Sequence, residues 1–178
     1  MIPFFLDLEG RRVVVIGAGP AVGRKIDDLV RAGADVVVIA PHAIAATGVL
    51  HRERPYVDGD LRGAWLAVSA TGDRAVARAI RDEAERERVW LLAVDDVETT
   101  CVYSAAVIRR GPITIAIGSN GEAPALVRLM REVLEKALPD DSWIAAARRL
   151  RQKWKSEGTP HASRFAELVG TLGTPRSP

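Results

Sequence analysis

A chain of 178 residues with 48% hydrophobic and 27% charged side chains carries enough apolar material for one ordinary domain and a smaller appendage. No apolar run reaches the roughly 18 residues of a membrane span, and no basic segment precedes an apolar core at the N-terminus. The single cysteine, Cys101, excludes an internal disulfide, so a reduced, cytoplasmic setting is expected. Net charge is +2, spread unevenly: residues 1–127 hold 15 Lys/Arg against 17 Asp/Glu, and residues 128–178 hold 10 against 6. Such a tail attracts anions, but its few aromatics argue against a single-stranded nucleic-acid groove.

Arg12 to Ile16 is a β-branched run without polar alternation, the pattern of a strand buried on both faces. After a glycine turn, Val22 to Ala32 takes helical spacing, with Val22, Ile26, Leu29 and Val30 on one side and Gly33 as the stop. Val36 to Ala40 is a second buried run. Strand, turn, helix and strand within about 30 residues form a βαβ unit, hence a parallel sheet and an α/β, Rossmann-like fold. The alternation continues with a strand at Ala64 to Ala70, an amphipathic helix at Arg74 to Arg88 and a strand at Val89 to Val94. Beyond residue 110 the pattern changes. Ile113 to Ile117 predicts a strand, Gly118 to Gly121 a turn, and Pro124 to Leu138 an amphipathic helix. Asp140-Asp141-Ser142 offers a cap for a helix running to about Lys155, and a last helix is expected over Ala162 to Leu172.

The turn Gly17-Ala18-Gly19-Pro20-Ala21-Val22 stands where a dinucleotide-binding turn belongs, after a buried strand and opening a helix. Gly17 suits the tight turn, Gly19 lets backbone approach a pyrophosphate, and the phosphates then meet the helix N-terminus. Val22 takes the third glycine position. No acidic residue follows the second strand, where Pro41-His42 stands instead. A structural turn in an α/β domain remains the competing reading. Asp95, at the carboxyl end of the strand Val89 to Val94, lies where open α/β sheets bind ligands and can act as a proton acceptor. Asp96 is expected to point elsewhere, because successive residues of an extended chain face opposite sides. His42, His51 and His161 show no metal-pair spacing, and no resident metal is expected.

These residues resemble the precorrin-2 dehydrogenase/sirohydrochlorin ferrochelatase family, the N-terminal module of siroheme synthases. The resemblance is carried by Phe4-Phe5-Leu6-Asp7-Leu8, Gly17-Ala18-Gly19 with Arg24-Lys25, Ser69-Ala70-Thr71-Gly72-Asp73 and Val94-Asp95-Asp96. It is carried most distinctively by Arg109-Arg110-Gly111-Pro112 and the block from Gly118-Ser119-Asn120-Gly121 to Arg128.

It implies an NAD-binding Rossmann-like domain over 1–110, a dimerisation segment over 111–139 and a helical C-terminal domain over 140–178. It also implies a homodimer that oxidises precorrin-2 to sirohydrochlorin with NAD, and leaves open whether metal insertion follows. Asp95 and Ser119 take the catalytic positions. Gly17, Ala18, Gly19, Pro20, Ala21, Val22, Pro41, His42 and Thr71 are the expected cofactor contacts. Leu92 replaces an asparagine usual in the family, and Val102 to Ala106 depart from its Phe-x-x-Pro-Ala pattern. A non-catalytic member that binds nucleotide or tetrapyrrole is the alternative.

Overall fold

The computed structural model describes residues 2–19, 22–94, 96, 98–138 and 141–173, grouped in two compact units, Met1–Ser104 and Ala105–Pro178. The first unit is a five-stranded sheet in the order β3-β2-β1-β4-β5. Its strands are β1 (Arg12–Ile16), β2 (Asp35–Ile39), β3 (Leu50–Arg52), β4 (Leu66–Ser69) and β5 (Trp90–Ala93). Every pairing is parallel. The expected α/β class and parallel sheet are therefore observed. The short edge strand β3 is an addition that the sequence did not announce, being three residues long and largely polar.

The period of two sorts the buried strand residues between the two faces. Val13 and Val15 of β1, Val36 and Val38 of β2, and Leu66 and Val68 of β4 pack against α1 (Gly23–Arg31), through Val22, Ile26 and Leu29. Val14, Ile16, Val37, Ile39 and Ala67 face α2 (Arg74–Glu87), through Ile80 and Ala84. Helices on both faces explain why these strands lack alternation: both sides need apolar residues. Three consecutive valines of β1 are fully buried. At roughly 1.5–3 kcal/mol for each such side chain, this central strand anchors the sheet.

Asp73 caps α2 by accepting from the Ala75 and Val76 amides at 2.8 and 3.2 Å. Arg88, in the left-handed conformation, closes its other end. The outer edge of β5 is covered by the chain that follows it. The Leu91 carbonyl accepts from the Cys101 and Val102 amides, and Thr100 Oγ1 accepts from the Ala93 amide at 3.1 Å. Leu92, where the family has asparagine, packs with Val94 and Val102 against the α1-side cluster.

The long connection between β3 and β4 is held from within. Glu83 of α2 is fully buried, and its carboxylate accepts from the Tyr56 hydroxyl and from the Gly59 and Leu61 amides at 3.0 and 2.9 Å. The same loop is closed by Asp60, which accepts from Arg54 Nη1 and Nη2 at 2.8 and 2.5 Å. Burial opposes ionisation of Asp60, but the Arg54 guanidinium and the Val57 amide outweigh it and hold the carboxyl below its usual value.

The second unit begins with an antiparallel hairpin of β6 (Ala106–Arg110) and β7 (Ile113–Ile117), turned at Gly111. It continues with α3 (Pro124–Ala137), α4 (Asp141–Glu157) and α5 (His161–Leu172). The first compact unit ends at Ser104. Strand β6 hydrogen-bonds to β7. Among the described residues no helix is long and apolar enough to cross a membrane.

Replacing Glu83 by alanine strands two buried amides and the Tyr56 hydroxyl. Glu83→Ala should therefore lower the unfolding free energy by about 3 kcal/mol in urea titrations. A loss below about 1 kcal/mol would mean the loop is held by other contacts.

Candidate functional site

The carboxyl ends of the parallel strands form one edge, and the chain leaves β1 and β4 toward opposite faces there. This is the topological switch point at which open α/β sheets leave a crevice. Gly17 stands at its centre with φ +96°, and its amide donates to the Ile39 carbonyl at 2.9 Å. A Cβ on Gly17 would lie 2.5 Å from the Ala70 carbonyl oxygen. The turn after β1 thus rests directly on the backbone leaving β4, and only glycine permits it. Gly19 differs: a Cβ there would meet no protein atom within 4 Å. It faces open space, as a ligand-approach position should.

Val22, in the third glycine position, is buried in the α1-side cluster. It fills the gap between helix and sheet that a glycine would close. Ala18 is exposed beside Gly19, and Pro41 and His42 follow the end of β2, both exposed. Pro20 and Ala21 lie outside the described residues.

On the other side of Gly19 opens a cleft of about 680 Å³. Thr71, Asp73, Arg74 and Arg78 line it from the start of α2, and Asp96 and Thr99 from the loop after β5. Thr71 Oγ1 accepts from the Asp73 amide at 3.2 Å, which leaves its hydroxyl proton available to a ligand. Asp95 lies outside the described residues. Asp96, expected to point away, lines the cleft instead. The alternation behind that expectation stops with β5 at Ala93, and Asp96 itself belongs to no strand. The Asp96 carboxylate accepts from the Glu98 and Thr99 amides at 3.1 and 3.3 Å. The Thr99 side chain above all, with these amides, keeps its carboxyl below the usual value.

Ser119 belongs to the second unit. Its Oγ accepts from the Ala123 amide at 3.0 Å and its carbonyl from the Glu122 amide, closing the turn that opens α3. Asn120 and Gly121 of the same turn both have positive φ. Sequence reasoning missed Arg74 and Arg78. The available signal was their spacing of four in the first turns of the helix after β4, which places both on one face.

Residues 4–106 match the model of a family described as putative NAD(P)-binding. The chain belongs to that family. Similar curated proteins are siroheme synthases. One, from Photobacterium profundum, is 38% identical over 145 residues, covering 78% of this chain and 31% of the relative. Siroheme synthase 1 of Pectobacterium atrosepticum is 33% identical over 179 residues, covering 94% of this chain and 37% of the relative. The chain thus spans about a third of the length of these relatives. A solved structure titled SirC, precorrin-2 dehydrogenase shares the fold, with TM-score 0.79, 22% identity, and coverage of 96% of this chain and 88% of that one. In this NAD(P)-binding family member, the glycine turn and the cleft occupy one sheet edge.

The two glycines should separate in their effects. Gly17→Ala should cost about 2 kcal/mol or more of stability and abolish measurable dinucleotide binding, because backbone must move. Gly19→Ala should leave stability within about 0.5 kcal/mol while weakening dinucleotide binding roughly tenfold by calorimetry. Equal destabilisation by both would show that the turn is purely structural.

Proposed function

We propose that this chain oxidises precorrin-2 to sirohydrochlorin with NAD⁺, the dehydrogenation step of siroheme formation. One observation carries the reading. The glycine turn after β1 and the loop after β5, which contains Asp95, leave the same edge of the sheet, and a cleft of about 680 Å³ opens beside them. The identity shared with siroheme synthases supplies the substrate class.

The residues present fit a dinucleotide: a tight turn at Gly17, open space at Gly19, and the free N–H groups that begin α1. Gly17, Ala18, Gly19, Pro20, Ala21 and Val22 would hold the pyrophosphate, and backbone at Pro41 and His42 would flank the adenosine. When bound, the dinucleotide supplies the hydride acceptor. Thr71 donates its hydroxyl proton toward bound ligand. Asp95 takes the substrate proton, since the Asp96 carboxylate is already engaged by the Glu98 and Thr99 amides. Ser119 is the second proposed catalytic residue: its Oγ accepts from the Ala123 amide, which leaves its hydroxyl proton to donate.

The decisive assay is anaerobic: precorrin-2 and NAD⁺ are mixed with the protein, and absorbance follows sirohydrochlorin and NADH. Wild type should turn over, and Asp95→Ala should lose roughly 100-fold or more in kcat. Near-normal turnover by that variant would overturn the assignment of Asp95. NAD⁺ binding without any oxidation of precorrin-2 would favour the non-catalytic reading.

The acting unit in this proposal is a homodimer. Leu126, Leu129, Met130 and Val133 of α3 fall at helical positions i, i+3, i+4 and i+7, and each is at least 44% exposed. An apolar stripe of this kind asks for a partner, and a second copy supplies the complement by symmetry. Sedimentation should give a dimer for wild type and a monomer for Leu129→Asp/Met130→Asp. A wild-type monomer at micromolar concentration would exclude the dimer.

A further inference from the structure

We infer that Arg74 and Arg78 form a carboxylate-binding pair on the substrate side of the cleft and set its preference for polycarboxylated tetrapyrroles. The inference rests on the proposed dehydrogenase function and adds residues that recognise its substrate. Both side chains line the cleft. Four residues apart in the first turns of α2, they project from one helix face roughly 5–6 Å apart at their Cβ atoms. Two guanidinium forks carried on one helix face can each hold a carboxylate of a macrocycle through a pair of parallel hydrogen bonds.

Their pairing state sets them apart from the other arginines of the helix. Arg81 donates to Glu85 at 3.2 Å and to the Glu98 carbonyl at 2.5 Å, and Arg86 donates to Asp58 at 2.6 Å. Among the described residues, Arg74 and Arg78 make no hydrogen bond and no ion pair. Two of the three acidic residues that line the cleft accept from backbone amides, and Asp96 also feels the charge of Arg74. Asp73 Oδ1 caps α2 through the Ala75 and Val76 amides, and Asp96 Oδ1 accepts from the Glu98 and Thr99 amides. The two cations therefore stay open at the mouth of a cleft with their hydrogen-bond donors unspent.

Their place on the sheet edge separates them from the adenosine end of the cofactor. A 2′-phosphate would sit by the end of β2, at Pro41 and His42, whereas α2 starts from the end of β4. The strand order puts β1 between those two ends.

The test compares wild type, Arg74→Ala/Arg78→Ala and Arg74→Lys/Arg78→Lys. It measures precorrin-2 oxidation anaerobically, and sirohydrochlorin and NAD⁺ binding by calorimetry at two salt concentrations. The alanine pair should raise KM for precorrin-2 and Kd for sirohydrochlorin roughly 10- to 100-fold, with NAD⁺ affinity within about twofold of wild type. Its residual tetrapyrrole affinity should depend less on salt, because two charge pairs are gone. The lysine pair should recover part of the loss, keeping charge without the planar fork. Unchanged KM and Kd in the alanine pair overturn the inference, as does an equal loss of NAD⁺ and tetrapyrrole affinity. A wild-type protein that neither oxidises precorrin-2 nor binds sirohydrochlorin fails at the earlier step, and takes the proposed function down with the inference.

Discussion

The close approach of two chain segments governs the first unit: the turn after β1 lies on the backbone leaving β4, Gly17 against the Ala70 carbonyl. Hydrogen bonds lock it from both sides, since the Gly17 amide donates to the Ile39 carbonyl and the Ala70 amide to the Ile16 carbonyl. With three consecutive valines of β1 fully buried, neither neighbouring strand can slide without exposing apolar surface on both faces. The crevice beside Gly19 is thus a by-product of sheet topology. Two connections depart from adjacent strands in opposite directions, and a cleft is left between them.

Helix α2 serves the two ends of this design differently. Its middle supplies Ile80 and Ala84 to the core, together with the buried carboxylate of Glu83 that pins residues 56–61 by three hydrogen bonds. Its first turns carry cap and charge toward the cleft. A buried carboxylate is costly unless its lone pairs find donors. Here two amides and a phenol provide them, so a polar group specifies the path of a loop that hydrophobic packing alone would leave free. Arg54 and Asp60 reinforce the same loop from outside.

The second unit is built on a different balance. A two-stranded hairpin is marginal by itself, and here β6 and β7 pack with α3, while α4 packs with α5. Among the described residues of α3 and α5 no side chain is buried, and α4 buries only Ala146 and Leu150. A unit with so little interior leaves apolar surface exposed, and the stripe on α3 is part of it.

Much of the fold was legible from local pattern. The buried runs at 12–16 and 36–40, the helices at 74–88 and 124–138, and the glycine turn between strand and helix each depend on periodicity within a dozen residues. Those are the distances over which side-chain direction is fixed by backbone geometry. The sequence likewise determined which residues occupy the turn, and that glycines stand where a dinucleotide phosphate would need backbone. It did not reveal β3, which exists because β2 offers it an open edge. It mis-aimed Asp96, because the strand ended earlier than the alternation assumed. It carried no sign that, among the described residues, Arg74 and Arg78 make no ion pair while Arg86 reaches Asp58, 28 residues away. Strand order, the contact between Gly17 and Ala70 and the commitment of each charge are long-range facts: they depend on which segments meet in space, and only the tertiary structure decides that.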